Sequence, residues 1–222
     1  MSGFEKIFYE KIHVGDLLKL PGCLVFFGTR FGTAELLETI FPKIQFCKLK
    51  QVHGKIVVAA EASVKHEGDG HWTSQENLAL SIVTADCLPI LGVSDSGKYV
   101  FAVHAGWRGV NLNILEVALA KVPADERASF KLYVGPHIFK NSFEVGLDVA
   151  KLLAAGAADH PSDKSKALVD LFAITKLQAA AAGISADKIF NFGQNTFTNE
   201  NYASYRRDKP NAGRQISFIC KA

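Results

Sequence analysis

Three side chains in this 222-residue chain have the types to do chemistry together: His53, Cys87 and His104. Each follows an apolar run, where the chain turns polar or glycine-rich, and such strand-to-loop switches are where a scaffold presents reactive groups. Imidazole and thiolate both suit zinc, and copper binds such ligands as well. Three protein ligands leave a fourth position open, which is the pattern of a catalytic site; structural zinc sites close with four. A metal held this way would deprotonate Cys87 and lower the pKa of bound water towards neutrality. The spacing of the three matches no short metal motif. Two other readings therefore stand beside the metal site. One is a core thiol with two satisfied histidines. The other is a metal-free pair in which Cys87 attacks and His104 takes its proton.

Neighbouring residues add detail. Asp86 is a candidate catalytic residue, a carboxylate that orients a ligand histidine, or a plain turn carboxylate. Arg30, Arg108 and Arg206 are candidates to hold a substrate anion, since guanidinium grips phosphate bidentately. Each can instead pair with a structural carboxylate, as Arg206 can with Asp208. Trp107 can stack a flat base or plug a packing gap. Cys23, Cys47 and Cys220 lie in or beside apolar runs and read as inert core thiols. His66 and His71 lie in a polar stretch and are expected to be exposed.

The elements that must position these groups are legible in part. Leu78 to Val83 and Tyr99 to Val103 read as buried strands, with a turn at Ser94–Gly97 between them. Leu112, Leu115, Leu119 and Val122 repeat at helical spacing, and that helix stops near Pro123. Further strands are expected at Leu24–Thr29, Ile56–Ala60, Phe130–Val134, Lys188–Phe192 and Gln215–Cys220. Helices are expected at Ala34–Ile40, at Val145–Ala157, and at Val169–Ala182 with Gly183 as its C′ residue. Residues 1–22 read as an irregular or edge segment, 61–69 as a loop with a turn signal at Gly68-Asp69-Gly70, and 205–213 as a polar loop. Interleaved strands and helices, with strands following strands, argue for an α+β or α/β fold with mixed sheets. No repeat or linker appears, so a single domain over 1–222 is expected.

Composition narrows the function classes. A net charge of +3 with scattered Lys and Arg gives no nucleic-acid surface. No apolar run is long enough for a membrane span, and charges interrupt the N-terminus before a signal-type apolar region forms. Four widely spaced cysteines without a C-x-x-C read as reduced thiols. The expected location is the cytoplasm.

The words around the three reactive residues carry a resemblance. QVHG at 51–54, TADCLPI at 84–90 and HAGWRG at 104–109 resemble the laccase-domain family. It is also called the multi-copper polyphenol oxidoreductase-like or peptidoglycan-editing family. VGP at 134–136, FEVG at 143–146, DLFAITKLQAAAAGI at 170–184, YRRD at 205–208 and GRQ at 213–215 continue it. The resemblance implies two mixed β-sheets packed face to face with helices outside, in α/β/β/α layers. It implies one zinc held by His53, Cys87 and His104. It implies purine nucleoside phosphorylase activity on adenosine, inosine and methylthioadenosine, with adenosine deaminase activity, so that a purine nucleoside and phosphate are the partners. The laccase label itself implies several copper sites, which one cysteine and two histidines do not supply. The peptidoglycan-editing label points instead to a cysteine amidase acting on cell-wall precursors; a third reading is a metal-stapled module without activity. The chain departs from the family pattern at Gly28–Gly32, at Lys140–Phe143 and at His137. These changes leave the metal ligands intact and bear on substrate choice. The oligomeric state is not legible.

Overall fold

The computed structural model describes residues 3–222. Two six-stranded sheets face each other. The first runs in the order Phe4–Tyr9, Ile12–Leu20, Cys23–Gly28, Gln215–Lys221, Leu78–Thr84, Gln45–Cys47. The second runs Ile189–Asn191, Lys131–Val134, Leu88–Val93, Val100–Ala105, Gly70–Thr73, Val57–Ala59. Both are mixed: most pairs are antiparallel, while Gln45–Cys47 joins Leu78–Thr84 in parallel, as Lys131–Val134 joins Ile189–Asn191.

Strand alternation decides what each face buries. Leu80, Ile82, Val25, Phe27 and Ile219 of the first sheet meet Leu91, Val93, Val100, Ala102 and Tyr133 of the second. The alternate residues turn outward under helices. Phe26, Ala79 and Phe218 pack on Leu37 of the helix Ala34–Ile40, and Ile90, Phe101, Val103 and Leu132 pack on Ile114, Leu115, Ile174 and Ala179. This is the expected α/β/β/α layering. Each fully buried Leu, Ile or Phe contributes about 1.5–3 kcal/mol relative to exposure.

Several boundaries differ from the sequence reading. The N-terminal segment is not irregular: Phe4–Tyr9 and Ile12–Leu20 form a hairpin on the edge of the first sheet. Its strands mix charged and apolar residues because the outer edge faces water. Leu88–Val93 is a central strand that the sequence did not announce, since Pro89 sits inside it. The proline is tolerated at its second residue, where its carbonyl still accepts from Gly135 N–H. The helix expected after His104 is broken into Trp107–Asn111 and Ile114–Leu119, with Asn113 in the left-handed region as the N-cap of the second. Val145–Ala157 is not one helix. A short strand Glu144–Gly146 enters the helix Leu147–Leu152, and Ala157–Asp159 returns as a strand. With Lys166–Val169 these two strands make a small third sheet. The expected loop at 205–213 opens with a helical turn, Tyr205–Asp208. The helix Leu171–Ala181 ends as expected. Gly183 takes φ +82°, and Ile184 N–H reaches back to the Ala179 carbonyl. Among the described residues no helix is long and apolar enough to cross a membrane.

Candidate metal centre and its cavity

The segment Thr84–Leu88 crosses from the first sheet to the second, and Cys87 sits on that crossing. His104 lies near the end of Val100–Ala105, opposite Pro89 in the register. His53 comes from a loop, with φ +60°. Their ligand atoms all lie within 4.8 Å of one another. The two imidazole rings meet edge to face at 84°. Gly106 makes this approach possible, because a Cβ there would stand 3.0 Å from the Cys87 sulfur and 3.5 Å from the His53 ring. The first glycine of HAGWRG therefore keeps the cluster uncrowded.

A residue that the sequence reading left in a turn holds the cluster together. The Asp69 side chain is fully buried. Its Oδ1 lies 2.8 Å from His104 Nδ1 and accepts from His53 N–H at 2.9 Å. Its Oδ2 accepts from Gly54 N–H at 2.7 Å and Val52 N–H at 3.2 Å. One carboxylate thus fixes both the loop that carries His53 and the ring of His104. Burial opposes its charge, but the hydrogen bonds from His104 and from Gly54 and His53 outweigh burial and hold its pKa below the usual carboxylate value. A carboxylate on Nδ1 leaves His104 Nε2 free for a ligand, which is how metal-binding histidines are commonly oriented. Burial alone would raise the Cys87 thiol; hydrogen bonds with His104 and His53 bring it down to about 7. Burial would likewise lower His104, and its bonds to Asp69 and Cys87 carry it up to about 9. One thiolate, two imidazoles and an orienting carboxylate make a donor set that can hold a metal ion with a coordination position left open.

Asp86 lines the cavity onto which the cluster opens and also has structural partners. Its carboxylate accepts from Thr196 Oγ1 and Arg206 N–H, each at 2.6 Å, and its carbonyl accepts from Ile138 N–H. It stands at φ +87°. Asp86 ties three distant segments to the crossing that carries Cys87, and both carboxylate oxygens are occupied in doing so.

The cluster opens into a cavity of about 730 Å³. Arg108 and Arg206 line it, as do Trp107 and Phe143. Arg108 stacks 4.4 Å over the Trp107 ring, and Arg206 lies 5.5 Å over Phe143 while donating to the Glu144 carbonyl at 2.7 Å. Arg214 also lines the cavity, braced by the carbonyls of Ala212 and Gly213. The sequence reading did not single out Asp69, Phe143 or Arg214. The glycines around Asp69, and GRQ around Arg214, were the available signals. Arg30 is not among the lining residues; its guanidinium approaches Asp208 at 3.9 Å instead.

The remaining thiols and histidines divide. All four cysteines are free, and Cys23, Cys47 and Cys220 are buried. Burial pushes Cys23 up to about 12 and Cys220 to about 11. His66 is half-buried beside Glu61. His71 was expected to be exposed and is buried at 1%. The run Gly70–Thr73 pairs with Val100–Val103, which draws its alternate side chains into the interior.

Comparison with known proteins agrees with this geometry. The family model described as multi-copper polyphenol oxidoreductase laccase matches residues 33–222. Purine nucleoside phosphorylase YfiH of Shigella flexneri is 35% identical over 178 residues, covering 77% of this chain and 72% of the relative. A Pseudomonas aeruginosa protein also named purine nucleoside phosphorylase is 34% identical over 180 residues, with the same coverage of both chains. The crystal structure of Neisseria meningitidis protein NMB0706 superposes with a TM-score of 0.81 at 25% identity, over 99% of each chain. YlmD from Geobacillus stearothermophilus shares the fold with a TM-score of 0.83 at 21% identity, over 98% of this chain and 99% of its own. With a family model spanning most of its length and relatives above 30% identity, the chain belongs to the multi-copper polyphenol oxidoreductase laccase family.

Proposed function

We propose that this protein is a zinc-dependent purine nucleoside phosphorylase, built as a single domain. Its substrates are adenosine, inosine and methylthioadenosine, and it also deaminates adenosine. The observation that carries the reading is the His53, Cys87, His104 cluster opening into a cavity that Arg206 and Arg214 line. Relatives named purine nucleoside phosphorylase support it.

His53, Cys87 and His104 would hold the metal, which would supply Lewis-acid chemistry when bound. Asp69 keeps the proton on His104 Nδ1 and so directs Nε2 at the site. Arg206 and Arg214 hold phosphate, Arg108 adds positive charge, and the Trp107 and Phe143 rings flank the base. In phosphorolysis a phosphate oxygen attacks the sugar C1′, the C1′–N bond breaks, and the base leaves with its electron pair and takes up a proton. In deamination water adds at C6 and ammonia leaves. Both need a water-poor cavity with fixed positive charge, where electrostatic stabilisation is strong.

The test is one incubation of zinc-quantified protein with adenosine and phosphate, products separated by mass. Adenine with ribose 1-phosphate marks phosphorolysis and inosine marks deamination. Absence of both with stoichiometric zinc present overturns the reading. Arg206→Ala is expected to raise the KM for phosphate more than that for adenosine.

The close thiol–imidazole contact favours a second reading, a cysteine amidase with Cys87 as nucleophile and His104 as base. Activity on a peptide substrate that survives chelation and ends on Cys87 alkylation would support it.

A further inference from the structure

A second cavity, of about 460 Å³, is lined in part by the segment Gly135–Phe139 and shares no lining residue with the cavity at the metal cluster. Side-chain alternation separates the two: Ile138 lines the larger cavity, and His137 and Phe139 line this one. Its size falls within the usual range for small-molecule sites, roughly 300–1,000 Å³.

His137 gives the cavity its chemistry. The residue is only 2% exposed. Its Nδ1 lies 2.8 Å from the Gly135 carbonyl oxygen, which can only accept, so Nδ1 carries the proton. Burial lowers the pKa of the ring, which is therefore neutral, and Nε2 holds a lone pair. Among the described residues no donor meets that Nε2. The Nδ1–H bond to Gly135 sets the ring orientation, and main-chain bonds to Gln194 and Thr196 hold the segment that carries it. Nε2 keeps accessible surface at the cavity, so a ligand that brings a donor there gains a hydrogen bond. Two aromatic rings stand beside it, Phe139 with its centroid 5.0 Å and Phe172 6.0 Å from the imidazole. Asn141 and Asp170 add polar groups to the lining.

We propose that this cavity binds a small flat heteroaromatic molecule that donates a ring N–H to His137 Nε2 and packs on Phe139 and Phe172. Indoles and nucleobases belong to this class. The site is separate from the metal cluster and does not depend on the reaction carried out there.

The probe is indole, measured by isothermal titration calorimetry against 1-methylindole, which has the same rings and no N–H. Saturable indole binding at one site is expected, with 1-methylindole weaker by about tenfold, the usual worth of one buried hydrogen bond. His137→Phe is expected to bring the two probes to equal affinity, and Phe172→Ala to weaken both. Cys87→Ala leaves both unchanged. No saturable indole binding, or equal affinity of the two probes for the unaltered protein, overturns the proposal. So does indole binding that is lost in Cys87→Ala and kept in Phe172→Ala, since that pattern belongs to the larger cavity. If His137→Phe does not fold, as judged by its Tm, the two-probe comparison on the unaltered protein decides the matter.

Discussion

His104 and His71 lie on adjacent strands of the second sheet. His71 pairs with Ala102, two residues before His104, so both follow the same alternation towards the interior. Both are almost fully buried. Their chemistry is opposite. His104 faces the Asp69 carboxylate and the Cys87 thiol and is raised to about 9. His71 has the Ser81 carbonyl and no partner for Nε2, and burial drives it down to about 3. Burial alone makes a histidine a neutral filler. An oriented carboxylate at the same depth fixes one ring nitrogen and leaves the other presented.

The strongest way to break this contrast is to remove the carboxylate. Asp69→Ala strands the His104 ring and three backbone N–H groups, and is expected to cost about 3–5 kcal/mol in urea unfolding. Asp69→Asn keeps the shape and loses the charge. It is expected to fold and to bind zinc about 10–100-fold more weakly in a chelator competition. Unchanged zinc affinity in Asp69→Asn would mean that His104 needs no orienting partner.

Crowding the cluster gives a smaller effect. Gly106→Ala places a methyl 3.0 Å from the Cys87 sulfur. Zinc affinity is expected to fall about tenfold, the lower end of what a displaced orienting contact costs, with little change in the urea midpoint. A midpoint loss as large as that of Asp69→Ala would make Gly106 a fold residue and not a cluster residue.

The pH dependence of stability sharpens the other half. The His71 pKa falls from 6.5 unfolded to about 3 folded. Between those values the unfolded chain binds a proton that the folded chain does not. Stability is therefore full above pH 6.5 and declines as pH falls towards 3, by up to about 1.4 kcal/mol per pH unit from this group. The neighbouring His66 acts in the same direction as burial, lowering the His71 pKa. His71→Gln is expected to flatten the slope between pH 6 and 4 in denaturant titrations. An equal slope in the variant would assign the acid sensitivity elsewhere.

The smallest expected effect concerns Arg30, which stands outside the cavity beside Asp208. Arg30→Ala is expected to leave the phosphate KM within about twofold, in keeping with the small worth of a part-exposed ion pair. Arg206→Ala in the same assay supplies the contrast.

The amino-acid order by itself determined the reactive set. His53, Cys87 and His104 were legible from residue type, from their place after apolar runs, and from the words QVHG, TADC and HAGWRG. The layered α/β/β/α architecture followed from the resemblance that those words carry, and the mixed sheets from strands that follow strands. The helix closed by Gly183 was legible too, because local chemistry sets a C-cap. What the tertiary structure decided is everything that depends on distant partners. Asp69 read as a turn residue because a carboxylate between two glycines is a turn signal, and nothing local says that His104 lies 2.8 Å away. His71 read as exposed for the same reason, since only pairing with Val100–Val103 turns its side chain inward. Asp86 and Arg206 looked like site residues by chemistry. Only the fold shows that both line the cavity, that the Asp86 carboxylate accepts from Thr196 and the Arg206 backbone, and that the Arg206 guanidinium donates to the Glu144 carbonyl. Residue type fixes which reaction a side chain can support. The partners that tune its charge and direction come from other strands, and only folding brings those together.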